Sequence, residues 1–390
     1  MKKFIYTAFC TLLLLSGCAP KFGKDTEVLD GGKNDKKKSF VPNYRISENT
    51  YRVILPFKAS EARGLVVANI DNRLDMDEFE TGLTNLAHEQ FPTSEYLYQE
   101  GQYLKKSTVR SWLQRKYTDA QLKVLEAKYK EKMDNIGLNP IDDGVGTLEE
   151  RNKKSPIYLA HILEQNYLIK DGEKVKLGGI TIGLAMNSVH YYKQEQDYPR
   201  QVELENKVIE AQGQKIAQEI VQRVRQIEGL GKVPIVIGIF KQQPRSAIVP
   251  GNFIKKGIVN EGQNNISSWE NVQEKYVLFP SSEASKSYRD DAVRMENFKA
   301  DITDFFPNYT GVIGRGTYHE GNLTDLVIEI PMQFYSKSEV IGFTQYVAGL
   351  VIKSFPKEIN VQVYISSIEK QEALIVRSAN ADKPYVYIYK

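Results

Sequence analysis

Cysteine is confined to the first eighteen residues, at Cys10 and Cys18, so nothing downstream can form a disulfide, a thiolate zinc site or a cysteine nucleophile. Histidine is scarce too. His88, His161, His190 and His319 are the whole set, and neither His88-Glu89 nor His319-Glu320 continues to the His-Glu-x-x-His of a zinc helix. An excess of one charge is also missing: Lys+Arg total 52 against Asp+Glu 49, a formal +3, which gives no basic field to draw nucleic acid. After the leader no run approaches the length of a membrane span, and the longest strongly apolar stretch, Val233 to Phe240, has strand length. Gly-x-Ser-x-Gly elbows and Walker loops do not occur, and the glycines of Gly311 to Gly316 miss the dinucleotide spacing. No cofactor, metal or nucleic-acid partner is therefore expected.

What is present begins with an address. Met1-Lys2-Lys3 is a short positive region, Phe4 to Leu15 is an apolar segment too short for an ordinary span, and Leu15-Ser16-Gly17-Cys18 follows at once. This reads as a lipobox: a peptidase cuts between Gly17 and Cys18, whose sulfur carries lipid. Two or three acyl chains on one residue hold firmly, at roughly 0.8 kcal/mol per buried CH2. Residues 1–17 are thus expected to be a lipoprotein signal peptide. Residues 18–41 are the lipidated N-terminus and a flexible tether, rich in lysine, acids and glycine and poor in apolar residues. The predicted location is the outer face of the cytoplasmic membrane.

The remaining chain has 390 residues less this leader and tether, and with 41% hydrophobic residues it can build a real core. Tyr51 to Phe57 and Gly64 to Ile70 read as strands. Helices are predicted from Asp75, with Glu78 three residues on in capping-box form, over Ser107 to Lys116, from Thr118 with Gln121, and from Ser155-Pro156 through Tyr167. From Gly179 a weak internal repeat appears. Gly179 to Tyr192 is a strand, a helix lies within Gln201 to Glu228, Lys232 to Phe240 is a strand, and Ser246 to Val249 follows. The same order returns as Thr324 to Tyr335, the helix Ser338 to Phe355, then Glu358 to Ser366, Glu372 to Arg377 and Tyr385 to Tyr389. The expected fold is α+β, two related lobes of strand-helix-strand-strand units with a helix-rich N-terminal half, divided as 42–300 and 301–390.

The densest acidic group is Asp71, Asp75, Asp77, Glu78 and Glu80. Carboxylates this close suit calcium or a glycosidase pair. Acids at a helix start also cap its amides, and the calcium-loop pattern fails where Arg73 takes a ligand position. His161 reads as a packed histidine in a helix, and His190, at an aromatic strand end, as a groove residue. Tyrosine is abundant, at 23 residues, and such rings either stack on a ligand or fill half-buried strands. The candidate ligand-binding residues are Arg73, Tyr191, Tyr192, Arg315, Tyr318 and His319.

Several blocks carry a resemblance. They are Arg63-Gly64-Leu65, Asn69 through Asp75, Phe79 to Leu83, Tyr98 to Leu104, Tyr158 to Gln165, Gly314-Arg315-Gly316, Ile328 to Tyr335 and Glu339 to Tyr346. In these the chain resembles the CamS family of lipoproteins, the sex-pheromone precursors of Gram-positive bacteria. The resemblance implies that a short apolar peptide, cut from the signal peptide just before the lipidated cysteine, acts as a mating pheromone for conjugative plasmids. Here that peptide is Thr11 to Gly17 (TLLLLSG), which departs from the alternating Ile and Phe character of the family's active peptide. The expected function is that of an anchored, non-enzymatic lipoprotein whose mature lobes bind a peptide, a glycan or another protein. The alternatives are a cell-wall hydrolase using carboxylates of the Asp71 to Glu80 region, and a solute-binding receptor.

Overall fold

The computed structural model describes residues 26–29, 39–42, 44–172, 174–306 and 311–390. The leader, the lipobox and Cys18 lie outside them. Strands are β1 Thr26–Leu29, β2 Ser39–Pro42, β3 Arg52–Val53, β4 Leu97–Glu100, β5 Leu159–Asp171, β6 Lys174–Met186, β7 Val189–Lys193, β8 Pro199–Glu203, β9 Ile235–Lys241, β10 Asn252–Val259 and β11 Ser268–Asn271. Then come β12 Glu274–Phe279, β13 Ile313–His319, β14 Asn322–Pro331, β15 Asn360–Ser366, β16 Gln371–Arg377 and β17 Tyr385–Ile388. Helices are α1 Val66–Asn69, α2 Arg73–Ala87, α3 Lys106–Trp112, α4 Asp119–Tyr129, α5 Leu148–Lys154, α6 Asn206–Val224, α7 Ser282–Ser287, α8 Arg289–Phe305 and α9 Lys337–Ser354.

Two sheets organise the chain, in the orders β11-β10-β9-β6-β5-β4-β3 and β17-β16-β15-β14-β13-β12. Apart from the edge strand β3, the second repeats the first strand for strand. In each, one parallel pair (β6 with β9, β14 with β15) is joined by a crossover helix, α6 or α9, and the strands flanking that pair run antiparallel. The correspondence extends outward, since β4 pairs β5 as β12 pairs β13, and β10 pairs β11 as β16 pairs β17, all antiparallel. A parallel pair demands such a crossover, which is why the strand-helix-strand-strand repeat was legible. The sheets divide between Asn271 and Glu274, whereas the boundary expected at 300/301 falls inside α8.

The first sheet is covered on both faces. Ile216 and Ile220 of α6 pack with Ile182, Leu184, Ile235, Ile237 and Ile239, while Phe79 and Leu83 of α2 pack with Ala185, Phe240 and Phe253. The α2 side needs small residues. A Cβ on Gly183 would stand 2.8 Å from the Phe79 ring and 3.0 Å from Leu83, so the missing side chain lets helix and sheet touch. Gly183→Val is expected to cost about 2 kcal/mol by overpacking, read by thermal unfolding. No change in melting temperature would mean that α2 shifts freely. In the second sheet α8 and α9 supply Phe298, Ile302, Phe343 and Val347, packed with Ile328, Ile330, Val361 and Val363.

Two-sided coverage explains the main corrections. Ser155 to Tyr167 is not a helix: Leu159–Asp171 is a central strand, and with helices on both faces its side chains are buried without alternation. The N-terminal half is accordingly built around a seven-stranded sheet rather than being helix-rich. Gly64 to Ile70 is a 3-10 turn, Arg63–Leu65, running into α1, because among the described side chains only Leu65 and Ile70 are fully buried and, among the described residues, no strand pairs with it. Only Arg52–Val53 of Tyr51 to Phe57 is strand. Gly179 to Tyr192 breaks into β6 and β7, and Ser246 to Val249 lies in the loop before β10. The Thr118–Gln121 capping box is present, but α4 ends at Tyr129 and buries none of its stripe.

Candidate functional site

In an open α/β sheet, ligands gather beyond the carboxyl ends of parallel strands, because the loops there splay apart. Beyond the ends of β6 and β9 lies a crevice of about 370 Å³, lined among others by Asn69, Asp71, Asn187, His190, Tyr191 and Arg245. Asn69 and Asp71 come from the end of α1, Asn187 to Tyr191 from the turn into β7, and Arg245 from the loop 242–251 between β9 and β10.

The acidic group around Asp71 builds this loop. Helix α2 starts at Arg73, and its N-cap is Asn72, whose Oδ1 accepts from Leu74 N at 2.9 Å. Asp75, expected as the cap, is fully buried instead, and its carboxylate accepts from Gln243 N at 2.8 Å and Gly251 N at 2.7 Å, the two ends of the loop. Asn72 Nδ2 donates to Ala247 O at 2.9 Å. Burial outweighs those bonds and pushes the Asp75 carboxyl up to about 6.

At the loop's tip Arg245 pairs with Asp71 at 3.0 Å, stacks over the Tyr191 ring at 4.2 Å, and donates its backbone N–H to the Tyr191 hydroxyl at 3.1 Å. His190 is buried on Asn152, at 2.8 Å, and burial lowers it to about 4, so it stays neutral at physiological pH. Tyr192 stacks on His190 with ring centroids 6.0 Å apart. Behind Asn187, Gln242 donates its amide N–H to Asn187 Oδ1 at 3.1 Å. The buried Gln242 Oε1 and Ser188 Oγ have no hydrogen-bond partner among the described residues.

The six candidate residues do not converge. Tyr191 lines the crevice with Tyr192 beside it, but Arg73 is exposed on the first turn of α2. Arg315, Tyr318 and His319 stand on β13 of the other sheet. Tyr318 turns toward the helices, its hydroxyl donating to Asp291 at 2.7 Å and its ring 4.2 Å from Tyr288; burial first, and then the bond to Asp291, raises its pKa and keeps the phenol protonated. Arg315 and His319 belong to the junction between the sheets. There His319 meets Glu274 at 3.3 Å, and burial beside Asp325 raises Glu274 to about 7. Glu78 of α2 is also raised to about 7 by burial, against the lowering effect of the Tyr276 hydroxyl. A second cavity of about 440 Å³ opens beside this junction, with Lys241, Gln243 and Asn206 from one lobe and Glu274, Lys275 and Tyr276 from the other. His161 is a packed histidine, as expected, but on β5 rather than in a helix, 6.3 Å from Phe79 and lowered to about 4 by burial.

The residues missed were Asn69, Asn187 and Arg245. Each sits in a loop or at an element's end where no periodicity marks it. The one available signal was the Asn69-Ile70-Asp71-Asn72 run, polar residues clustered just ahead of a helix.

Fold and crevice together define a tandem α+β protein of two lobes with the same wiring. The family model for the CamS sex pheromone cAM373 precursor matches residues 57–383, and the chain belongs to that family. It is similar to the C-terminal domain of the sex pheromone staph-cAM373 precursor from Staphylococcus aureus, at 34% identity and a TM-score of 0.72, covering 83% of this chain and 98% of that one. It is likewise similar to the crystal structure of a sex pheromone precursor from Lactobacillus salivarius, at 30% identity and a TM-score of 0.80, covering 90% and 99%. No curated protein matches.

Proposed function

We propose that the chain is a membrane-anchored extracytoplasmic precursor, cut before Cys18, lipidated on that sulfur, and able to release Thr11 to Gly17 as a signalling peptide. Membership of a pheromone-precursor family supports this reading, and so does the lipobox. Among the described residues no helix is long and apolar enough to cross a membrane, so in this reading the anchor is the lipid. Cys18→Ala is expected to move the protein from the membrane fraction to the medium and to remove the acyl mass from the N-terminal peptide. A Cys18→Ala protein still sedimenting with membranes would defeat the anchor.

The body is a binding module rather than an enzyme, and its seat is the crevice at the ends of β6 and β9. The carrying observation is Arg245, a cation at the crevice that is paired with Asp71 at 3.0 Å and stands over the Tyr191 ring at 4.2 Å. The crevice histidine is spent on Asn152 and held neutral, which suits a fixed dipole better than a proton carrier. A bound ligand stabilises the native state by mass action. A digest of wall peptides and glycans should therefore raise the melting temperature of the wild type and not of Tyr191→Ala. An equal rise in both would remove the crevice from the reading.

A further inference from the structure

We propose that the segment just after the tether, with Tyr44 and Ile46 at its tips, docks into an anionic phospholipid bilayer and seats the body on the membrane that carries its anchor. This rests on the anchoring at Cys18 and goes further by naming the side chains that meet lipid.

Tyr44 is 83% exposed and Ile46 79%, and among the large apolar side chains described only Ile368, at 92%, is more exposed. The segment that carries them is tied to the body. Arg45, between them, donates through Nη2 to Thr93 O at 2.9 Å, Thr93 Oγ1 donates to Glu48 O at 2.5 Å, and Ser47 Oγ bonds Thr50 Oγ1 at 2.7 Å. Apolar side chains held in water in this way are stabilised by transfer to an apolar phase. A membrane interface suits the set: a tyrosine ring sits at headgroup level, an aliphatic chain reaches the acyl boundary, and a guanidinium stays with phosphate.

The chain's own connectivity says what lies opposite. β1 pairs antiparallel with β2, so that Thr26 stands beside Pro42, two residues before Tyr44. From Cys18 to Thr26 the chain takes eight Cα–Cα steps, which span at most about 29 Å when fully extended. A folded chain of about 350 residues is roughly 50 Å across. The tie is therefore shorter than the body is wide, and it holds the Tyr44 side against the bilayer rather than the far side. Contact is then intramolecular, so a weak insertion is enough.

Charge points the same way. Residues 19–58 contain nine Lys and Arg against five Asp and Glu, whereas residues 59–390 contain 41 against 44. The end next to the anchor is basic and the remainder slightly acidic, the polarity that turns this end toward anionic headgroups. A second copy of the chain fits less well, because a two-fold contact through this patch brings the same basic excess face to face.

The test uses the mature chain with Cys18→Ala, which carries no lipid, and with Asn49→Cys, an exposed position and then the only thiol, labelled with an environment-sensitive dye. Vesicles of phosphatidylglycerol and phosphatidylcholine in equal parts are expected to shift the dye to the blue, saturably, and phosphatidylcholine alone to bind at least about tenfold more weakly. Tyr44→Ser with Ile46→Ser should weaken binding to the anionic vesicles by about tenfold and leave the melting temperature unchanged, since both side chains are exposed. Two side chains bury less than one acyl chain, whose own binding is marginal, so the unanchored chain is still expected to leave the membrane fraction of cells. No shift at up to about 10 mM lipid, the range of effective concentration that a short tether supplies, would overturn the proposal. Binding that survives the double change would overturn it as well. An equal shift from a dye at Ile368→Cys, on the turn between β15 and β16, would do the same, because the body would then meet lipid with no preferred side. Self-association abolished by the double change, with no response to vesicles, would give the patch to a second copy instead. None of these results touches acylation of Cys18, which the mass of the N-terminal peptide reads separately.

Discussion

Glu164→Ala is expected to lower the stability of the folded body by about 4 kcal/mol, a large loss for a single polar side chain. Glu164 lies in the middle of β5, and its residue is 5% exposed. Its carboxylate accepts from Gln102 N at 3.1 Å, from Tyr103 N at 3.1 and 3.2 Å, and from Leu104 N at 2.6 Å. Three consecutive backbone N–H groups thus end on one buried anion. Burial raises its pKa and those bonds pull it back. Alanine would strand the three donors, at about 1–3 kcal/mol each where water cannot reach them. The turn lies tight against β5, since a Cβ on Gly101 would stand 2.6 Å from Glu164 O. In a body of this size each kcal/mol moves the melting temperature by about 2–4 °C, so a fall of roughly 10 °C is expected. A fall of only a degree or two would show that water replaces the carboxylate. Glu164→Gln should lose less, since its amide oxygen keeps part of the set.

The same contact shows what the sequence made legible. Tyr98 to Leu104 and Tyr158 to Gln165 stood out as separate blocks, and the structure joins them: the first is a strand and turn, the second the strand whose acid caps that turn. Neither block alone says so, because the contact closes a long loop of chain and leaves no periodicity. Reading Ser155 to Tyr167 as a helix failed for a related reason. A strand covered on both faces shows continuous burial, and buried Glu164, Gln165 and Asn166 broke any alternation that would have marked it. The repeat was readable because each crossover helix has a long apolar stripe between two β-branched runs, a pattern set by local sequence. The crevice was only half readable. Tyr191 announced itself as an aromatic at a strand end, whereas Arg245 acquires its meaning from Asp71, far earlier in the chain.

Asp75 is the place where an acid that looked like a helix cap proves to hold loop 242–251, and its titration should expose that role. Its carboxyl titrates near 6 in the folded protein, above an ordinary aspartate, because burial costs the anion more than Gln243 N and Gly251 N return. The native state therefore holds this proton more tightly than the unfolded chain does. The stability linked to that proton is fully present below the unfolded value of about 3.9 and is lost as pH rises through about 6, the reverse of a salt-bridged aspartate. A shift of about two units corresponds to roughly 3 kcal/mol across that window. Asp75→Asn has no such titration and keeps one acceptor of two. The stability of the wild type minus that of Asp75→Asn is therefore expected to fall by about 3 kcal/mol between about pH 4 and pH 8, measured by urea unfolding. Glu274, raised to about 7 by burial and Asp325, leans the same way and cancels in the difference, whereas Glu78, also raised to about 7 by burial and in small part by the Asp75 charge, cancels only in the part that does not depend on Asp75. A difference that stays flat, or grows toward alkaline pH, would mean that the carboxylate is hydrated and that loop 242–251 is not held by it. Asp75→Ala, which removes both acceptors, should in addition free Gln243 and Gly251 and weaken any ligand that depends on Arg245, because the loop carrying that guanidinium would lose both its fixed ends.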